Sequence, residues 1–123
     1  MLLQILRKFD MVGKLEKDVV KSCNSYLKRN GWITKTVYLG GIPLGGGKLA
    51  ANPLAGFPDC MAFHIDKKQL LLIEYKRQVG GKLSDDQIYF HKLLRHVGLT
   101  VIVVNSLQSL KEQICQLAKK ELT

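Results

Sequence analysis

Asp59, Glu74 and Lys76 are the residues of this chain whose types and spacing could do chemistry. Glu74 and Lys76 close the apolar run Leu70-Leu71-Leu72-Ile73, and residues two apart on a strand project to the same side. Asp59 opens the stretch Cys60 to Ile65, which reads as the hairpin partner of that run. A carboxylate in such apolar company requires a charged partner, which a metal ion plus a lysine would supply. Asp, Glu and Lys converging on one sheet edge make a cation site suited to phosphate chemistry.

Hydrolysis of a phosphodiester brings water onto an anionic phosphorus, so charge must be neutralised, a nucleophile supplied in line and a departing oxyanion stabilised. Mg²⁺ or Mn²⁺ held by carboxylates does the first and last and also acidifies water. Mg²⁺ takes few protein oxygens and keeps several waters, so Asp59, Glu74 and the Tyr75 carbonyl suffice as ligands. Lys76 would orient or deprotonate the attacking water, or stabilise the phosphorane.

The surrounding elements must position these residues. From about Val12 to Lys28 the spacing is helical, with Val12, Leu15, Val19, Cys23, Tyr26 and Leu27 in one stripe. Glu16 falls inside that stripe, which is anomalous for a glutamate, and Asn30-Gly31 ends the helix. Trp32 to Leu39 is β-branched and aromatic and predicts a strand. The glycine-rich stretch from Gly40 to Gly56 predicts a long flexible loop. Its Gly47-Lys48 pair is no phosphate-binding loop, because Ile42 stands where a glycine is required and Leu49 follows Lys48.

Asp66-Lys67-Lys68 is the expected turn of the hairpin that carries the carboxylates. Ser84-Asp85-Asp86-Gln87 opens a second helix as a capping box, and Gly98 stops it. Gln87, His91, Leu94 and Gly98 share the inward azimuth of that helix. Thr100 to Val104 is a short buried strand, and Ser106 caps a last helix. The predicted order is α-β-β-β-α-β-α, an α/β fold with a mixed sheet flanked by helices.

At 123 residues the chain is long enough for one domain and one modest core. Lys+Arg 19 against Asp+Glu 10 gives a net charge of +9, the balance of a nucleic-acid binder. The basic residues Lys48, Arg77, Lys82 and Lys92 are candidates for phosphate contacts. No segment is apolar enough to span a membrane, so no membrane partner is expected. Three widely spaced cysteines, Cys23, Cys60 and Cys115, argue against a disulfide framework or a zinc site and for a reducing, cytoplasmic compartment. Cys23 and Cys115 fall on apolar helix faces and read as core.

The pattern Gly56-x-Pro58-Asp59, Glu74-x-Lys76, Gly81-x-Leu83-Ser84-x-x-Gln87, then Leu94, Gly98 and a valine-rich strand resembles the VRR-NUC branch of the PD-(D/E)xK nuclease superfamily. The likeness runs from about Glu16 to Ser106, which makes 12–123 a single domain and 1–11 an N-terminal extension open to disorder. It implies a restriction-endonuclease-like fold and a DNA endonuclease dependent on Mg²⁺ or Mn²⁺. It also implies that Glu16 reaches the metal shell and that Gln87 faces the site; His91, one turn on from Gln87, is by its own position a candidate to approach a DNA phosphate.

The chain is most similar in type to small stand-alone viral or bacterial members, which resemble Holliday-junction resolvases. That implies a homodimer acting on branched DNA in repair or recombination, in a bacterial or phage-infected cell. A sequence-specific restriction or homing enzyme is the alternative on the same site. A non-catalytic DNA-binding module is the alternative outside enzymes, and the intact Asp-Glu-Lys set argues against it.

Overall fold

A computed structural model describes residues 15–121. The proposed extension 1–11 and the start of the helical stripe at Val12 lie outside the described residues. The elements are α1 (Glu16–Arg29), β1 (Trp32–Thr36), β2 (Ile42–Gly45), β3 (Lys48–Ala50), β4 (Cys60–His64), β5 (Gln69–Tyr75), α2 (Asp85–His96), β6 (Thr100–Val104) and α3 (Leu107–Glu121). Four strands make one mixed sheet in the order β1-β4-β5-β6, and β2 and β3 make a separate two-stranded ribbon. The ribbon stands where the sequence predicts only a loop. Glycines at its tip supply the positive φ of the turn (Gly45 +90°, Gly46 +59°, Gly47 +76°), so a glycine-rich run here closes a hairpin.

The central hairpin β4–β5 is antiparallel, with Cys60 opposite Ile73 and Met61 opposite Leu72. β5 and β6 are parallel, as a crossover through α2 requires. Leu71 to Tyr75 are all buried, because both faces of β5 are covered. On one face Leu71, Ile73 and Tyr75 join Val19, Cys23 and Leu27 of α1 and Leu110 of α3 in a single core. On the other face lie the alternate residues, Glu74 and Lys76 among them, beneath α2.

The helix ends follow their local chemistry. Ser84 and Gln87 form both bonds of the predicted capping box, and Gly98 (φ +93°) follows α2. Ser106 Oγ accepts from Ser109 N–H at 3.0 Å at the start of α3. Cys23 is buried as expected, but Cys115 is exposed. It stands one residue, about 100°, from Ile114 on the packed face of α3. His64 is structural: Nε2 lies 3.1 Å from Asn30 O, Nδ1 accepts from Lys67 N–H, and the ring meets Trp32 edge-on. Among the described residues no helix is long and apolar enough to cross a membrane.

Candidate active site

The site is built at the carboxyl end of β5, where an α/β sheet ordinarily places its ligands. Extending the β4–β5 register by one step sets Asp59 opposite Glu74. The Asp59 carboxyl is near enough to Glu74 to act on its ionisation. Asp59 is fixed further by Tyr75 N–H, which donates to Oδ2 at 2.9 Å, and by its own carbonyl, which accepts from Val37 N–H at 2.8 Å. On an extended strand a residue's N–H and C=O point to the same edge, so the Tyr75 carbonyl faces Asp59 as well.

Glu74 is only 1% exposed. Burial, then the Asp59 carboxyl and its charge, push its pKa up to about 9, against the pull of Lys76. Glu16 adds to the upward push, so its charge is felt at Glu74. At neutral pH the carboxyl pair therefore holds a proton. A buried carboxyl pair of this kind is where a cation could replace that proton.

Lys76 continues from β5 beyond the pairing with β6, its N–H donating to Val104 O at 2.9 Å. Its Nζ donates to Gln87 Oε1 at 3.0 Å, and the same oxygen accepts from Ser84 N–H at 2.9 Å. Gln87 thus caps the helix and holds the lysine with one atom. The capping and the site readings of Gln87 describe the same group.

Two glycines of the motif permit these approaches. At Gly56 (φ +89°) a Cβ would come within 2.9 Å of Asp86 O, in the first turn of α2. At Gly81 a Cβ would meet Lys76 Cβ and Arg77 O, each at 2.9 Å. Backbone passes at both positions with no room for a side chain.

Two clefts meet at Glu16. One, of about 220 Å³, has Asp59, Cys60, Tyr75 and Asn24 in its lining, and the other, of about 460 Å³, is lined by Glu16, Lys76, Arg77, Gly80, Gly81 and Lys82. Burial raises the pKa of the Cys60 thiol, which makes it a poor nucleophile. Clefts of about 360 and 400 Å³ at the opposite end of β5 and β6 contain no carboxylate in their linings.

Three expectations change. Glu16 is exposed instead of buried: it is the first residue of α1, where a carboxylate suits the helix dipole. His91, expected near a DNA phosphate, is 1% exposed, with Nε2 3.3 Å from Glu74 Oε1. The inward azimuth was right, but the inward face meets the carboxylate and not solvent. Burial holds the His91 pKa below its usual value, with Arg95 acting in the same direction. Finally, of the basic residues Arg77 and Lys82 line the site, whereas the exposed Lys48 and Lys92 line neither cleft at Glu16.

Among the described residues no group of three His, Cys, Asp or Glu side chains forms a metal cage. A Mg²⁺ site does not need one, since one or two carboxylates with a carbonyl, waters and substrate phosphate complete its octahedron. Asp59, Glu74 and the Tyr75 carbonyl fit that donor set, with the two carboxylate residues opposite each other across the hairpin.

No family model matches the chain, and no curated protein matches it significantly. The chain is similar to a solved VRR_NUC domain, with 20% identity, 83% of this chain and 96% of that chain covered and a TM-score of 0.64. Its architecture is therefore VRR_NUC-like.

Proposed function

We propose that this VRR_NUC-like domain is a deoxyribonuclease that hydrolyses phosphodiesters with Mg²⁺ or Mn²⁺, acting on branched DNA as a homodimer. The observation that carries the reading is the placement of Asp59 opposite Glu74 at the end of the β4–β5 register, beside a lysine held by Gln87. The net charge of +9 supplies the attraction for a polyanion.

Asp59, Glu74 and the Tyr75 carbonyl would hold the cation, and Glu16, at the junction of the two clefts, would hold one of its waters. The bound cation would neutralise phosphate charge and lower the pKa of water. Lys76, its ammonium aimed by Gln87, would donate to a non-bridging phosphate oxygen and stabilise the charge that develops there. Water adds to phosphorus as the bond to one sugar oxygen breaks. The proton lost by the water and the one gained by the leaving oxygen balance through solvent. Arg77 and Lys82, lining the cleft beyond Lys76, would hold flanking phosphates.

The test is incubation of the purified protein with labelled four-way junctions, flaps, single strands and linear duplex in Mg²⁺, Mn²⁺ or EDTA, alongside Lys76→Ala. Metal-dependent cutting of branched substrates, lost in the variant, is the expected result. Stable cutting at one position of linear duplex would replace the structure-specific reading with a sequence-specific one. Tight binding without cutting in any metal would leave only a DNA-binding module.

A further inference from the structure

We propose that His91 is a positioning residue for Glu74: its imidazole, buried on α2, fixes one carboxylate oxygen so that the other is presented beside Asp59 for a cation. The inference rests on the reading of Asp59 and Glu74 as the cation-holding pair.

The geometry of helix on strand makes this possible. Four residues of α-helix rise about 6.0 Å, and two residues of strand rise about 6.6 Å. Gln87 and His91, four apart on α2, therefore lie over Lys76 and Glu74, two apart on β5, with helix and strand running in opposite directions. Gln87 takes Lys76 and His91 takes Glu74, at 3.0 Å and 3.3 Å. One helix face thus clasps both chemical side chains of the strand.

Each member of the trio then has one orienting partner. Asp59 has the Tyr75 backbone N–H, Lys76 has Gln87, and Glu74 has His91. Metal-ligating carboxylates are characteristically oriented by such hydrogen bonds, and loss of one typically weakens the metal about 10–100-fold.

The ring is retained at a cost. Nδ1 is buried and has no hydrogen-bond partner among the described residues. We place the single ring proton on Nε2, where it is donated to Glu74, because the opposite tautomer would bury an N–H with nothing to receive it. A leucine would fill this position without an orphaned nitrogen, so packing alone does not account for a histidine here.

The experiment measures Mn²⁺ affinity by calorimetry on the unliganded protein at pH 8, with thermal unfolding in EDTA beside it. His91→Leu is expected to weaken Mn²⁺ at least tenfold. His91→Gln, whose amide reaches as far as Nε2, should stay within about threefold of wild type, and His91→Asn, which is too short, should behave like leucine. Should the leucine variant fail to fold, the glutamine and asparagine pair makes the same comparison. Equal affinity in all variants, or equal loss in all three, would overturn the positioning role and leave the site reading intact. Failure of the wild-type protein to bind Mn²⁺ would overturn the site reading itself.

Discussion

Divalent-cation affinity should rise steeply with pH, because the cation must displace the proton that Glu74 holds. Burial and the neighbouring Asp59 carboxyl raise Glu74 from 4.5 to about 9. A ligand with that pKa is about 99% protonated at pH 7, which weakens apparent binding about 100-fold. The penalty is about tenfold at pH 8 and about 1,000-fold at pH 6. Calorimetric titration of Mn²⁺ from pH 6 to 8 should therefore show log Kd falling by about one per pH unit. Repetition in two buffers of different ionisation enthalpy should show close to one proton released per ion. Glu74→Gln should abolish both the binding and the proton release. Affinity that stays flat from pH 6 to 8, with no proton released, would refute the assignment of the ion to this carboxyl pair.

The same group makes the metal-free fold pH-sensitive. Glu74 binds its proton more tightly folded than unfolded, so its stabilisation is full below about 4.5 and lost as pH rises toward 9. Melting in EDTA should show stability falling by up to about 1.4 kcal/mol per unit between pH 7 and 9, and Mn²⁺ should raise the melting temperature most at the alkaline end. His91, held below its usual value, acts oppositely: its contribution is lost as pH falls through the histidine range, so it does not produce the alkaline fall, to which the Cys60 thiol, also raised by burial, adds only as pH nears 9. Ser84→Ala and Gln87→Ala should each cost about 1 kcal/mol by denaturant titration through the lost cap, but only Gln87→Ala should also slow cleavage, because only it frees Lys76. Gly56→Ala should cost about 1–2 kcal/mol for the left-handed backbone alone, and more for displacing Asp86 O; an unchanged melting temperature would show that the loop does not pack on α2 as described.

Where most of the candidate residues fall was legible because it depends on local periodicity. Asp59 and Glu74 meet because a hairpin turn at 65–68 sets their register, and a hairpin is readable from its two runs and its turn. Gln87 could be placed because capping and helical azimuth are both local. His91 was put on the correct face and given the wrong neighbour. Helical spacing says which residues point inward but not which strand residue they meet, and that is decided by the β5–α2–β6 crossover.

Glu16 was expected on a buried stripe, but as the first residue of α1 it stands in an exposed turn, and periodicity alone does not fix where a helix starts. The β2–β3 ribbon escaped notice since its strands contain glycine, proline and lysine, which no pattern of alternation marks out. The orphaned Nδ1 of His91 has no signature in the sequence. It becomes visible only when the imidazole is found behind the carboxylate.

The central claim is that Asp59, Glu74 and Lys76 form a cation-dependent phosphodiesterase site. Single-turnover cleavage of a labelled four-way junction by wild-type protein and Asp59→Asn, in Mg²⁺ and in EDTA, tests it most directly. The account predicts cutting by wild type in Mg²⁺ alone, and a loss of at least 100-fold in the variant with its melting temperature in EDTA preserved. Cutting that survives in EDTA, or that Asp59→Asn leaves unchanged, would contradict it.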